Sequence, residues 1–158
     1  MTNSPYAVEV VPVGRVVGGR GEAFDDNWGA VEAAIELDAE RFTPEALAGL
    51  GDFSHLEVVY HFHLVPEGKV ETGARHPRNR QDWPLVGIFA QRGKNRPNRI
   101  GVSRCRLLGV DGLTVQVAGL DAIDGTPVLD IKPYMSEFGP RGDVHQPEWS
   151  TELMGEYF

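Results

Sequence analysis

Three groups of residues have types and spacing that could do chemistry. The first lies in "FAQRGKNRPNRIGVS", from Phe89 to Ser103. Arg92, Lys94, Arg96 and Arg99, with Asn98 among them, suit phosphates, carboxylates or base edges. Pro97 fixes its own φ and restricts Arg96 before it, so Arg96-Pro97-Asn98 is pre-organised. The second group is acidic: Asp121, Asp124 and Asp130. Asp124-Gly125 is turn chemistry first. Asp130 and Lys132 fall on one face of an expected strand, together with Val128. They form either an exposed cross-strand ion pair, worth little, or, with Tyr134, an acid, a lysine and a phenol at the rim of a pocket. The third group is His61 and His63, on a strand face with Glu57 and close to His55. An H-x-H pair can ligate zinc, but two ligands do not make a site and nothing in the spacing completes it, so no metal is expected. Cys105 alternates into an apolar face with Leu107 and reads as a buried structural thiol rather than a nucleophile. There is no G-x-S-x-G, no P-loop and no G-x-G-x-x-G after a strand.

The charge distribution sharpens the first group. The chain of 158 residues carries a formal net charge of −8, which opposes indiscriminate binding to nucleic acid. Yet residues 69–106 hold ten of the fifteen cations and only two acids, Glu71 and Asp82, a local charge of +8. That asymmetry is the footprint of an anionic ligand or of a solvated basic face paired with acids elsewhere. A single cysteine excludes an internal disulfide. No apolar run approaches the roughly 20 residues that span a bilayer. The opening "MTNSPYAVEVVPVGR" lacks the basic start and apolar block of a signal peptide. A cytoplasmic protein with no membrane partner is expected, with residues 1–158 as one domain.

These side chains need positioning elements. Residues 7–17 read as a strand with a proline at an edge or bulge. Residues 18–29 read as a glycine-rich loop. Residues 30–38 suit helix or strand and are taken as strand. Thr43 and Pro44 start a helix of about two turns that Gly49 or Gly51 stops. "HLEVVYHFHLV" (55–65) is the strongest strand, with Leu56, Val58, Tyr60, Phe62 and Leu64 on one face. A long connection follows (66–84), then strands at 85–90, 100–108 and 113–119. Asp111-Gly112 marks a hairpin, and one more short strand follows Asp124-Gly125. A terminal helical turn closes the pattern. Strands in succession without helical crossovers predict a mainly β fold, an antiparallel closed barrel with one or two short helices.

"GIFAQRGKNRPNRIGVS" (87–103) followed by "LDAIDGTPVLDIKPY" (120–134) resembles the TrmO family, also called TsaA- or YaeB-like. That family's pattern is G-[VI]-F-A-T-R-S-x-x-R-P-N-P-I-G-x-S, then D-G-T-P-[VL]-x-D-I-K-P-Y. "VGRV" (13–16), "GLGDFSHLEVVYHFH" (49–63) and His76-Pro77 also fit. The resemblance implies a β-barrel, usually a homodimer, that binds S-adenosylmethionine and methylates the exocyclic nitrogen of threonylcarbamoyladenosine beside a tRNA anticodon. It places cofactor contacts on Arg92, on Val102 and on the turn Asp124, Gly125, Thr126, Pro127. His63 and Leu64 join them, as do Trp28, Gly29 and Ala30 in the glycine-rich loop.

On that reading methyl transfer from a sulfonium needs alignment more than covalent help. Asp130 or Tyr134, with Lys132 beside them, would accept the proton of the poorly nucleophilic adenine-type nitrogen. Arg92 would pair with the cofactor's carboxylate. Arg96, Asn98, Lys94 and Arg99 would face substrate phosphate or base edges. The sequence departs from the family at Gln91 for threonine, at Gly93 and Lys94 for a Ser-Pro-like pair, and at Arg99 for the second proline. The loop is therefore more flexible and more cationic, which bears on the substrate more than on the methyl donor. Two alternatives stay open: another RNA or a small anionic metabolite as acceptor, and a non-catalytic barrel that binds S-adenosylmethionine or RNA.

Overall fold

Alternation decides which side of each strand meets the interior. The computed structural model describes residues 4–158. Met1–Asn3, the start of the stretch read as lacking a leader, lie outside the described residues. The strands are β1 (Gly14–Val17), β2 (Glu32–Leu37), β3 (His55–His61), β4 (Ala74–Arg75), β5 (Val86–Gly87), β6 (Ile100–Asp111), β7 (Thr114–Ala118) and β8 (Pro127–Pro133). One short helix, α1 (Glu148–Leu153), lies near the end of the chain. Six strands close a barrel in the order β1-β2-β7-β6-β3-β8, all pairs antiparallel, and β4 and β5 form a separate ribbon.

The interior is filled by every second side chain. Leu56 and Val58 on β3, Ile35 on β2, Val115 and Val117 on β7, Val16 on β1 and Val128 on β8 are fully buried, each contributing about 1.5–3 kcal/mol of transfer free energy. Leu120, Ala122 and Cys105 complete the same cluster. The face expected along 55–65 holds through Phe62, which packs against the core and edge-on to Tyr60. Leu64 leaves it, because the chain turns after β3 and exposes that side chain by 66%. β6 is long enough to serve two neighbours: residues 100–106 pair with β3 and 106–111 with β7, with a register shift between Leu107 and Gly109 that turns the barrel's corner. The Asp111-Gly112 hairpin forms, Asp111 facing Thr114 and Gly112 taking φ of 60°.

Several expectations are corrected. The first strand covers only Gly14–Val17, and Val8, Val10 and Val11 are exposed in extended chain before it. Instead of one helix there are two 3₁₀ turns, Pro44–Leu47 and Leu50–Asp52. Gly49 in the left-handed region (φ 84°) breaks the run, and Thr43 makes no side-chain cap. The stretch 85–90 is two strand residues followed by a 3₁₀ turn at Ile88–Ala90. The 66–84 connection contains the ribbon strand β4 and 3₁₀ turns at Glu67–Lys69 and Pro77–Asn79.

Strand direction determines which residues meet. The C-terminal ends of β1, β3 and β7 and the N-terminal ends of β2, β6 and β8 share one mouth of the barrel.

Candidate functional site

That mouth gathers most of the residues selected from the sequence. The loop 91–99 leads into β6, and His63 and Leu64 follow β3. The turn 124–127 leads into β8, and Trp28, Gly29 and Ala30 lead into β2. Arg92 donates from Nη2 to the Val102 carbonyl at 2.6 Å. Its guanidinium is otherwise exposed, so further N–H groups remain for an anion. Val102 (44% exposed) on β6, Leu64 after β3 and Phe89 (79% exposed) in the 3₁₀ turn before the loop are uncovered. At the glycine turn, Gly125 has φ of 85°, and a Cβ there would sit 4.0 Å from His63 Nε2. Asp124 Oδ1 accepts from the Gly18 amide at 2.8 Å, and the amides of Asp124 and Gly125 donate to Arg20 and Val16 carbonyls at 2.7 Å each. Thr126 is buried and its hydroxyl donates to the Ile123 carbonyl. The turn is thus a clasp between β8 and β1, with Asp124 and Gly125 as its outward members.

The loop's arginines differ in what they hold. Arg96 Nη1 donates to the carbonyls of Gln91 (2.7 Å) and Gly93 (3.3 Å). Arg99, itself at φ of 51°, donates to the Val65 carbonyl at 2.7 Å. Both brace the loop through part of the guanidinium fork. Lys94 and Asn98 are exposed. Gln91 Nε2 bridges the carbonyls of Arg75 and Val86, 3.0 Å each, stitching the loop to the β4–β5 ribbon. His61 is held below its ordinary pKa by burial first and then by the Arg99 charge and the neighbouring His63 ring. The neutral ring keeps that corner from gaining more positive charge. No group of metal ligands occurs among the described residues.

Asp130, Lys132 and Tyr134 do not meet the mouth as a set. A register shift on the β3–β8 pair sets Tyr60 against Val128 and Val59 against Asp130. Leu129 is the extra residue, so Val128 points into the core while Asp130 and Lys132 point outward. That corrects the shared face expected for all three. Asp130 and Lys132 pair at 3.0 Å on the surface. Lys132 lies opposite Glu57, and the Tyr134 amide donates to the His55 carbonyl. His55 is six residues along β3 from His61, about 20 Å at strand rise, so Tyr134 belongs to the opposite end, where Arg104 stacks on its ring at 4.7 Å. Asp130 alone remains near the mouth, in the row Asp130, Val59, Val102 across three strands.

A buried polar cluster carried little signal in the sequence. Asp121, at the end of β7, accepts from Tyr60 Oη at 3.2 Å, from Ser103 Oγ and from Tyr157 Oη. Burial and the neighbouring carboxylate raise both phenols above their ordinary range, so they stay protonated and donate. Inward alternation pointed to Tyr60, but no local pattern linked it to Tyr157, 97 residues away in sequence. Arg20 was also unmarked. It stacks on Trp28 at 4.2 Å and donates to the carbonyls of Asp26 and Asn27, while Arg78 holds Asp26 by a two-point contact at 2.9 and 3.2 Å.

The class of protein is a closed antiparallel β-barrel whose mouth carries an arginine-bearing loop and a glycine clasp. The family model described as the tRNA-methyltransferase O N-terminal domain matches residues 26–139, so the chain belongs to the TrmO family. It is 41% identical over 64% of its length to the tRNA (adenine(37)-N6)-methyltransferase of Escherichia coli (strain K12), covering 44% of that protein. It is 36% identical over 72% of its length to a "Probable S-adenosyl-L-methionine-binding protein" of Pyrococcus abyssi, covering 58% of it. The crystal structure of TrmO from Pseudomonas aeruginosa superposes with a TM-score of 0.74 at 29% identity, over 94% of this chain and 64% of that one. The chain spans about half the length of these curated relatives.

Proposed function

We propose that the mouth binds S-adenosylmethionine and that the protein methylates N6 of adenosine in tRNA, with threonylcarbamoyladenosine beside the anticodon as the acceptor. The observation that carries the reading is convergence: four separated segments, 28–30, 63–64, 92–102 and 124–127, lie at one mouth in a chain of this family. The residues suit the donor. An exposed guanidinium at Arg92 complements a carboxylate, and the exposed Val102, Leu64 and Phe89 offer apolar surface to an adenine ring. The donor supplies a methyl group on a sulfonium, transferred by in-line displacement. The chain's own work is to hold the carboxylate end on Arg92, to align the acceptor nitrogen and to take its proton. Asp130 fits the last role, since it is the outward acid nearest Val102 in register, with Lys132 paired to it at 3.0 Å. Lys94 and Asn98 are the loop groups free for tRNA, and Arg96 and Arg99 contribute charge while bracing the loop.

Exposed Ile100 and Leu108 along β6 favour a homodimer as the working form, and a tRNA substrate favours a cytoplasmic setting. The test is calorimetry with S-adenosylmethionine, followed by methylation of tRNA that carries or lacks the threonylcarbamoyl group. Wild-type protein should bind the donor, and Arg92→Ala should weaken it by about tenfold, the worth of one charge-assisted bond. Unchanged affinity in the variant rejects the role of Arg92. Absence of donor binding by folded wild-type protein rejects the function.

A further inference from the structure

We propose that Tyr157, through its hydrogen bond to Asp121, is a positioning residue that locks the segment Met154–Phe158 against the Asn27–Gly29 loop and so sets the mouth's affinity for the methyl donor. The inference rests on the donor-binding reading for its consequence, but its structural half stands alone.

Three independent contacts make the lock. The main chain of the segment accepts from the loop: the Asn27 amide donates to the Glu156 carbonyl and the Trp28 amide to the Tyr157 carbonyl, both at 2.8 Å. Between them these bonds satisfy two donors at a loop whose Trp28 side chain is only 3% exposed. The side chain of Tyr157 then reaches past the loop to Asp121, where Tyr60 and Ser103 already donate from inside the barrel. A carboxylate surrounded by hydroxyl donors is a fixed anchor, because its charge strengthens each bond and removal of one donor leaves an oxygen short of a partner. Finally, Gly29 abuts the segment so closely that a Cβ there would lie 2.8 Å from the Phe158 carbonyl carbon. Only glycine permits this approach. Upstream, Trp83 Nε1 donates to Glu152 Oε2 at 2.9 Å and pins α1 to the 66–84 connection. The segment therefore joins the end of β7, the loop before β2 and that connection. Neither Tyr157 nor Asp121 need touch the donor. They hold a loop that does.

The test uses the full chain and three proteins: wild type, Tyr157→Phe and Gly29→Ala. The first variant removes one hydroxyl and keeps the ring. The second leaves the Asp121 cluster intact and disturbs the approach of the two segments; because Gly29 lies in the donor loop itself, the link to donor affinity is read from Tyr157→Phe. Hydrogen exchange read at the Asn27 and Trp28 amides, without ligand, should rise in both variants while the amides of β3 and β6 stay protected. Calorimetry should show S-adenosylmethionine binding weakened by about tenfold, the size of one hydrogen bond to a charged group. KM for the donor should rise with kcat within about twofold, as expected when ground state and transition state lose the same contact. Exchange at the two amides equal to wild type in both variants overturns the lock. Raised exchange with unchanged donor affinity overturns its link to the site. Should wild-type protein bind no donor, the proposed function falls, while the exchange result still decides whether the lock exists.

Discussion

At the scale of single residues, the cluster around Asp121 divides groups that react from groups that hold. Cys105 faces inward between Ser103 and Leu107 on β6, and burial together with the Asp121 charge pushes its thiol up to about 12. A thiol so placed is almost wholly protonated at neutral pH, and the thiolate is the reactive form. Native protein at about pH 8 should therefore resist a disulfide-exchange reagent such as Ellman's, and one equivalent should react once denaturant unfolds it. Rapid labelling of the folded protein would contradict the placement. The same raised value fixes a sign. The unfolded chain loses this proton near the ordinary thiol value of about 8.5 while the folded chain keeps it, so the thiol's contribution to stability is whole below about pH 8.5 and declines as pH rises toward about 12. Alkaline conditions should lower the unfolding midpoint. Cysteine-to-serine replacement should flatten that decline whatever it does to stability at pH 7.

At the scale of elements, β3 and β6 show what the sequence discloses and what it withholds. Tyr60 on β3 lies opposite Gly101 on β6, and a Cβ at Gly101 would sit 2.5 Å from Tyr60 Cζ. The missing side chain is the space into which the ring lies, edge-on to Phe62 at 5.3 Å. Gly101→Ala should push the ring off Ser103 and Asp121 and destabilise the barrel by about 1–3 kcal/mol. A fall in unfolding midpoint of under about 2 °C would show that the ring can shift freely. The alternation that places Tyr60 inward is visible in "HLEVVYHFH", and the closed antiparallel sheet followed from strands succeeding one another without crossovers. The hairpin at Asp111-Gly112 was equally legible, because φ above zero demands glycine there. The extra residue Leu129 was not. A bulge is set by how a strand must bend to pair on both edges, and no residue of β8 announces it. The faces of Asp130 and Val128 were misread together for that reason. Tyr157 and Asp121 were unreadable as a pair because their contact depends on where the last residues dock, a tertiary matter with no local period.

At the scale of the whole molecule, the sequence's charge asymmetry is partly spent internally. Of the cations in residues 69–106, Arg78 is bound to Asp26, Arg80 to Asp82 and Arg104 to Glu57. Among the described residues, Arg92, Lys94, Arg96 and Arg99 form no salt bridge to an acid, and all four lie on the loop at the mouth. Lys69, Arg75 and Arg106 form none either, so a protein of net charge −8 concentrates unneutralised cations on this loop without confining them to it. Each phosphate held by such a loop releases condensed counterions, so affinity should fall with salt in proportion to the number of contacts. With Arg92 on the donor and about three loop cations engaged, the plot of log affinity against log salt should have a slope of about −2.5, and about twice that if two subunits share one tRNA. Fluorescence anisotropy of labelled tRNA across about 50–200 mM potassium chloride measures it. The single variant Lys94→Ala should reduce the slope by about one per engaged subunit, because Lys94 is exposed and braces nothing. Donor binding, which engages one carboxylate beside Arg92, should respond far less over the same range. A slope near zero for tRNA, or one that Lys94→Ala leaves unchanged, would mean that the loop does not meet phosphate and would move the acceptor toward a small molecule.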